Sequence, residues 1–262
     1  YVLRQVPAPV YGTKLTLAPG VNKPVLAIGS QKENPGENDV IENIAVFNVT
    51  IDGNKDHQDS EFDAKLPWIR NNGIDVRAVK GLTIDNVTSK NNRSGGIVIS
   101  WGSSDIHIVH CRFDENFFDG AAYYASQRIY TAQCSMKNNR NAGISLDNDL
   151  TDCLFTDCIL DSNGDVGIFA RFSKQLRFNG CSIFNSGNWA AFMSHDENNH
   201  GVHDVILSTS HLLNNNGGLF MGSINEVQSS FNSVVGCVFR GNEKDGRKNI
   251  NSAGSKIWES GN

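Results

Sequence analysis

Tyr124, Asp147 and Arg171 place a phenol, a carboxylate and a guanidinium at intervals of 23 and 24 residues, and Ser100 and Ser194 continue the series on either side. Phenols and carboxylates can move protons, and a guanidinium can hold a carboxylate bidentately. Trp101, Asp149, Lys174, His195 and Asp196 follow closely on members of the series. Such a mixture suits a polysaccharide, because aromatic faces carry sugar rings and cations hold acidic groups. Two chemistries are open. In a lyase or epimerase reaction, Tyr124 or His195 transfers the proton beside a uronate carboxylate that Arg171, Lys174 or a Ca²⁺ ion neutralises. In a hydrolase, Asp147 pairs with Asp149, Asp119 or Asp165 across the glycosidic bond, and their separation sets retention or inversion. The catalytic candidates are Tyr124, Asp147, Asp149, Arg171 and His195. The substrate-binding candidates are Trp101, Tyr123, Lys174, Asp119, Asp165, Trp68 and Arg70. A non-catalytic carbohydrate binder or adhesin and a purely structural spacer are the competing classes.

These side chains meet only if the chain repeats. Cys111, Cys134, Cys158 and Cys181 are 23, 24 and 23 residues apart, with Val87 before them and Ser210 and Cys237 after. Five residues past each ruler position stand Asn92, Asn116, Asn139, Asn163, Ser186, Asn215 and Asn242. Nine past it stand Gly96, Gly120, Gly143, Gly167 and Gly246, with Ala190 and Leu219 as departures. Each repeat contains three short segments alternating apolar and polar, which is the strand period. One such coil cannot bury its apolar face alone, whereas a stack can. The expected fold is all-β: a single-stranded parallel β-solenoid of about eight regular coils of ~23 residues, with rungs about 4.8 Å apart. The Asn column should hydrogen-bond from coil to coil and occupy a left-handed bend. The Gly column should allow positive φ or a close backbone approach. The Cys column should point inward as reduced thiols.

Residues 1–42 do not fit the period and are expected to form irregular coils or a cap at the N-terminal end. Residues 43–246 are the solenoid and 247–262 a polar tail, with Ile250, Ile257 and Trp258 as docking points. Two insertions interrupt the repeat. One runs from about Lys55 to Asn72 and carries Trp68 and Arg70; it is expected to wall or cover a groove. The other, His195 to Asp204, offers three histidines and three acids, readable as a zinc site, a calcium site or a polar groove wall, although its spacing matches no standard zinc pattern.

Composition bounds the rest. The 262 residues are 39% hydrophobic and 19% charged, a globular balance. A net charge of −5 argues against duplex nucleic acid as a partner. No run of eighteen apolar residues occurs, so no membrane-spanning helix is expected. A polymer substrate implies a secreted or periplasmic location, and the absence of a basic-then-apolar leader at Tyr1 is consistent with a mature chain.

The segment Asn48-Val49-Thr50-Ile51-Asp52-Gly53-Asn54 and the recurring Ile-x-x-Cys-x-Phe-x-x-Asn-x-x-x-Gly-Ile phrase resemble the pectate-lyase-like right-handed parallel β-helix superfamily over roughly residues 43–246. The resemblance implies a right-handed helix and a protein that binds or cleaves polysaccharide. Coil lengths look most similar to the mannuronan epimerase and alginate lyase branch. That branch carries Asp-Pro-His after the column glycine, where this chain reads Ala121-Ala122-Tyr123-Tyr124 and Ile144-Ser145-Leu146-Asp147. The Asn-Thr-Asp, Asp-Asp and Arg-Ile-Lys signatures of the pectin-hydrolase branch do not occur either. No family catalytic residues are therefore carried over.

Overall fold

The computed structural model describes residues 12–222, 231–252 and 257–261; the expected start of the N-terminal cap at Tyr1 and the last residue of the tail, Asn262, lie outside them. Every coil contributes one strand to each of three parallel sheets. The first sheet runs from Thr13–Thr16 to Val238–Arg240, and the second from Leu26–Gly29 to Ile250–Asn251. The third runs from Ile41–Phe47 to Ile257–Ser260. Residues on both flanks of the regular period thus join the sheets: Thr13–Thr16 pairs with Val49–Asp52, and Ile257–Ser260 with Asn232–Val235. Among the described residues no helix is long and apolar enough to cross a membrane.

The sequence columns have distinct physical jobs. The Cys column is buried, and among the described residues neither its members Cys111, Cys134, Cys158, Cys181 and Cys237 nor Cys153 forms a disulfide. The Asn column forms a buried amide ladder. Asn92 Nδ2 donates to Asn116 Oδ1 at 2.7 Å, Asn116 to Asn139 at 2.9 Å, Asn139 to Asn163 at 3.0 Å, and Asn215 to Asn242 at 3.0 Å. The left-handed bend lies one residue earlier than expected, at Asn91, Glu115, Asn138, Ser162, Asn185 and Asn214. The preceding residue makes the corner, which frees the Asn side chain to turn inward and meet its neighbour. The column glycine serves close approach rather than positive φ: a Cβ on Gly96 would sit 2.4 Å from Gly120 O. Strand register also corrects the column's C-terminal members. Ala191 pairs with Leu219, and Leu219 with Ile250, so Gly218 and Asn249 occupy the positions expected for Leu219 and Gly246. The turn after Asn215 is one residue shorter than its counterparts, and the turn after Asn242, which holds the short helix Lys244–Gly246, is three longer.

The interior is filled by one side of every strand. In the second sheet these are Ile74, Ile97, Ile144 and Ile168 in one row and Val76, Ile99, Tyr123 and Leu146 in the next, all fully buried. Tyr123 lies near-parallel to Phe155 at 5.8 Å, and Phe155 to Phe178 at 4.8 Å, inside the helix. The opposite side of the second sheet faces outward, and there the site lies.

Candidate functional site

Register places Arg77 beside Ser100, Tyr124 beside Asp147, and Arg171 beside Ser194, so the expected outward row exists and begins one coil earlier than expected. Two residues nearer the strand starts runs a second outward row, Asp75, Val98, Ala122, Ser145 and Phe169. Val98 and Ala122 are small beside their flanking rows, and over them opens a cavity of about 580 Å³. Its lining includes Trp68, Arg70, Trp101, Asp119, Tyr124, Asp147 and Arg171, seven of the twelve candidates read from sequence.

The walls are held by identifiable contacts. Trp101 turns out of the corner after Ile97–Ser100, with φ 58°. Ala78, Ala125, Asn148 and Phe172 take left-handed φ at the equivalent corners, so this geometry belongs to the coil. Phe118 lies in the turn before Ala121–Tyr124 on the other side of the sheet. The 55–72 insertion forms the N-terminal wall and has its own internal structure. Phe62 and Arg70 form an antiparallel bridge, Arg70 Nη1 donates to Glu61 Oε2 at 2.6 Å, and Trp68 Nε1 donates to Gln31 O at 3.1 Å. Arg77 locks this wall to the coil. Its guanidinium donates to Trp68 O at 3.1 Å, Lys32 O at 2.6 Å and Glu33 O at 3.0 Å. Because the insertion and the 31–33 segment cover them, the outward-pointing Asp75 and Arg77 are each only 3% exposed.

The cavity carries three carboxyls, two of them shifted by burial and one ion-paired. Burial pushes Asp75 up to about 6, against the opposing pull of a hydrogen bond from Asn72 and the charge of Arg77. Burial likewise pushes Asp119 up to about 6, with the Asp165 charge adding to the rise, although Ala142 N and Asn141 Nδ2 both donate to its Oδ1. Asp147 is ion-paired. Arg171 Nε donates to its Oδ2 at 2.9 Å, Arg171 Nη2 reaches the same oxygen, and Asn148 N donates to Oδ1 at 2.7 Å. Tyr124 feels the charges of both Asp119 and Asp147, and burial together with those charges raises its phenol well above the usual range.

Five sequence candidates lie elsewhere. Tyr123 is a correction: it is fully buried in the core and its hydroxyl pairs with Thr131 at 3.0 Å. Side chains alternate along a strand, so an outward Tyr124 requires an inward Tyr123. Asp149 and Lys174 pair at 3.5 Å past the corner and line shallower hollows beside the third sheet. His195 contacts Ser194 at 3.4 Å and does not line the cavity. Asp165 accepts from Asn188 Nδ2 at 3.1 Å, on the outer turn behind Asp119. In the 195–204 loop, Asp196 accepts from Asn198 N, His200 N and His200 Nδ1, and the His200 ring stacks on Phe172 at 4.2 Å. Those groups stabilise the loop's own turn. Among the described residues no three His, Cys, Asp or Glu side chains are gathered as a metal site.

Asp75, Arg77, Asn72 and Phe118 line the cavity without having been singled out from sequence. Gly73 was the missing signal: it stands 23 residues before Gly96, and Arg77 is four residues past it. Farther along the second outward row, Phe169, Phe192 and Phe220 stack near-parallel, with interplanar angles of 12° and 7°. Faces stacked coil on coil turn toward each other, leaving edges for solvent, so this ladder is a structural column.

The sequence matches the right-handed β-helix region family over residues 38–149 and again over 101–262. No curated protein matches it. Among solved structures, the fold is similar to ORF18 of Geobacillus virus E2, with TM-score 0.68, 11% identity, and coverage of 95% of this chain and 47% of that one. It is also similar to PfbA, a surface adhesin of Streptococcus pneumoniae, with TM-score 0.69, 12% identity, and coverage of 90% and 67%. A double mutant of the periplasmic alginate epimerase AlgG gives TM-score 0.56 and 15% identity, covering 84% of this chain and 45% of that one. The chain thus spans about half the length of the viral protein and of the epimerase. Three parallel sheets, one amide ladder and a match reaching from residue 38 to 262 make this chain a member of the right-handed parallel β-helix family, with the pectate-lyase-like fold.

Proposed function

We propose that the protein binds a carbohydrate polymer lengthwise along the outer face of the second sheet and hydrolyses it in the cavity, with Asp119 as proton donor and Asp147 as the opposing carboxylate. The observation that carries this reading is the pair of unlike carboxyls on either side of Tyr124. Asp119 is a buried carboxyl that holds its proton up to about pH 6, and Asp147 is ion-paired with Arg171. An acid able to protonate the leaving oxygen beside an ionised carboxylate is what glycoside hydrolysis requires. Tyr124, neutral at working pH, donates to Ser145 Oγ at 3.4 Å, and its oxygen accepts from a substrate hydroxyl. Trp101 and Phe118 flank the groove and offer apolar faces to sugar rings.

A lyase or epimerase reaction on a uronate has less support. Arg171 is already committed to Asp147, and Lys174 and His195 do not line the cavity. The Tyr124 phenol is shifted away from the range in which it would act as a base. The similar structures include an epimerase and an adhesin, but at 11–15% identity their likeness speaks for the fold alone, and the cavity's own residues favour hydrolysis. A polymer substrate places the working site outside the cytoplasm.

The test is Asp119→Asn assayed on a polysaccharide panel by reducing-end release. The variant should fold, bind and lose at least about 10²-fold in turnover. The wild-type rate should fall as pH rises through about 6, as the proton on Asp119 is lost. New absorbance near about 230–235 nm, the signature of an unsaturated uronate formed by proton abstraction and elimination, would replace hydrolysis with elimination. Binding without turnover in the wild type would assign a non-catalytic carbohydrate binder.

A further inference from the structure

Each guanidinium on the cavity wall is already engaged. Arg171 is paired with Asp147, Arg70 with Glu61 at 2.6 Å, and Arg77 with three backbone carbonyls. No lysine lines the cavity. Among the described residues, Arg77 Nε is buried without a partner on a guanidinium whose other two nitrogens are bonded, and two oxygens of the lining are unpartnered as well. Asp75 Oδ2 and Ser94 Oγ are buried and have no hydrogen-bond partner among the described residues, although Asp75 is 3% and Ser94 1% exposed and both line the cavity. Neighbouring polar atoms do not supply the missing bonds: Asn72 uses Nδ2 on Asp75 Oδ1 at 2.9 Å, and its Oδ1 accepts from Gly95 N at 3.0 Å. A buried polar atom without a partner costs about 1–3 kcal/mol, so such atoms clustered at a cavity point to a ligand that satisfies them.

We infer that the cavity selects an uncharged sugar, whose hydroxyls bind on the Asp75–Ser94 floor. This inference rests on the carbohydrate reading above and adds the substrate class and the residues that choose it. A hydroxyl both donates and accepts. Ser94 Oγ can do the same, and a carboxyl at Asp75 accepts when ionised and donates when protonated. A uronate carboxylate has no free cation to meet on this wall. It would have to share Arg171 with Asp147 or Arg70 with Glu61, guanidinium groups whose charge is already balanced by a carboxylate. Asn72 and Asn148 complete the lining as neutral amides. Trp101 and Phe118 each have a guanidinium over the ring, Arg77 at 5.3 Å and Arg70 at 5.6 Å. Those contacts hold the aromatic side chains in place at the groove edge.

The experiment is calorimetric titration of the full chain with two panels: neutral gluco-, xylo-, manno- and galacto-oligosaccharides, and galacturonate and mannuronate oligomers. A neutral oligosaccharide should bind with an affinity insensitive to added salt, and the uronates should bind at least about tenfold more weakly, because their carboxylates lose hydration without gaining an unbalanced cation. Ser94→Ala should weaken neutral-sugar binding about tenfold. Its melting temperature should not fall, because its hydroxyl has no protein partner to lose. Tighter, salt-sensitive binding of a uronate would overturn the substrate class and leave the carbohydrate reading standing. Unchanged neutral-sugar affinity in Ser94→Ala would overturn the assigned floor. Failure of both panels to bind would bring down the carbohydrate reading itself.

Discussion

Asp75 and Asp119 hold protons that ordinary carboxyls would have released, and the sign of that shift governs how the fold responds to pH. Each rises from 3.8 to about 6 on folding, chiefly through burial. The folded chain therefore binds protons more tightly than the unfolded one. The associated stability is fully present below the unfolded value and is lost as pH rises through about 6. A two-unit shift corresponds to about 3 kcal/mol per group as an upper bound. Asp75→Asn removes the charge and retains an oxygen to accept from Asn72. It should raise the melting temperature above pH 7 by a few degrees, consistent with about 1–3 kcal/mol. It should also flatten the decline in stability between about pH 4 and 7 relative to wild type. Thermal unfolding followed by circular dichroism across that range checks it. A variant tracking the wild-type curve at every pH would show that the Asp75 carboxyl is not destabilised by its surroundings. Asp147 contrasts with these two in its surroundings: Arg171 and Asn148 supply its oxygens with donors.

The coil is the unit that places such residues side by side, and its amide ladder has one natural break. Ser186 occupies the Asn column, and its hydroxyl is buried without a partner, while its backbone N–H donates to Asn215 Oδ1 at 2.9 Å. Serine is too short to carry the amide contact from Asn163 through to Asn215. Ser186→Asn should join the two half-ladders and stabilise by about 1 kcal/mol, a gain of one buried hydrogen bond and relief of an orphaned hydroxyl. Asn139→Ala, which removes donors and acceptors from an intact stretch, should cost about 3 kcal/mol. Urea midpoints of both variants decide the matter, and a destabilised Ser186→Asn would mean that the 29-residue step from Ser186 to Asn215 closes the space an amide needs. The same column explains what could be read from sequence. Cys, Asn and Gly recur because interior packing and corner geometry repeat in every coil. Stacking then follows, and with it the row from Ser100 to Ser194. Arg77 and Asp75 escaped because the 55–72 insertion hides the glycine that starts their strand. The burial of those residues was illegible for a different reason: it depends on Trp68, Lys32 and Glu33 folding over them, a set of tertiary contacts with no periodic trace. Tyr123 could have been excluded from parity alone.

At the scale of the whole molecule, each strand pairs only with the coils immediately before and after it, so stability passes from neighbour to neighbour. The cavity is not confined to one such unit. Asp75 and Arg171 lie on strands four rungs apart, at Ile74–Arg77 and Ile168–Arg171, and the insertion from one coil reaches Phe118 two coils on. A sugar chain seated there would tie five successive coils together, whereas the last rungs, Ile250–Asn251 and Ile257–Ser260, would gain nothing directly. Coils at either end have one neighbour's contribution less and fray at lower cost. Hydrogen exchange should therefore show the slowest amides in the strands Ala121–Tyr124 and Ile144–Asp147, with protection declining toward both ends. Ligand binding should add protection from Ile74 to Arg171 and in the 55–72 insertion, with little change beyond Gly217. A uniform gain along the whole helix would mean that the coils unfold as one cooperative block. A gain restricted to the 195–204 loop would move the binding face to the hollow lined by Lys174, His200 and His203, on the far side of the corner from Tyr124.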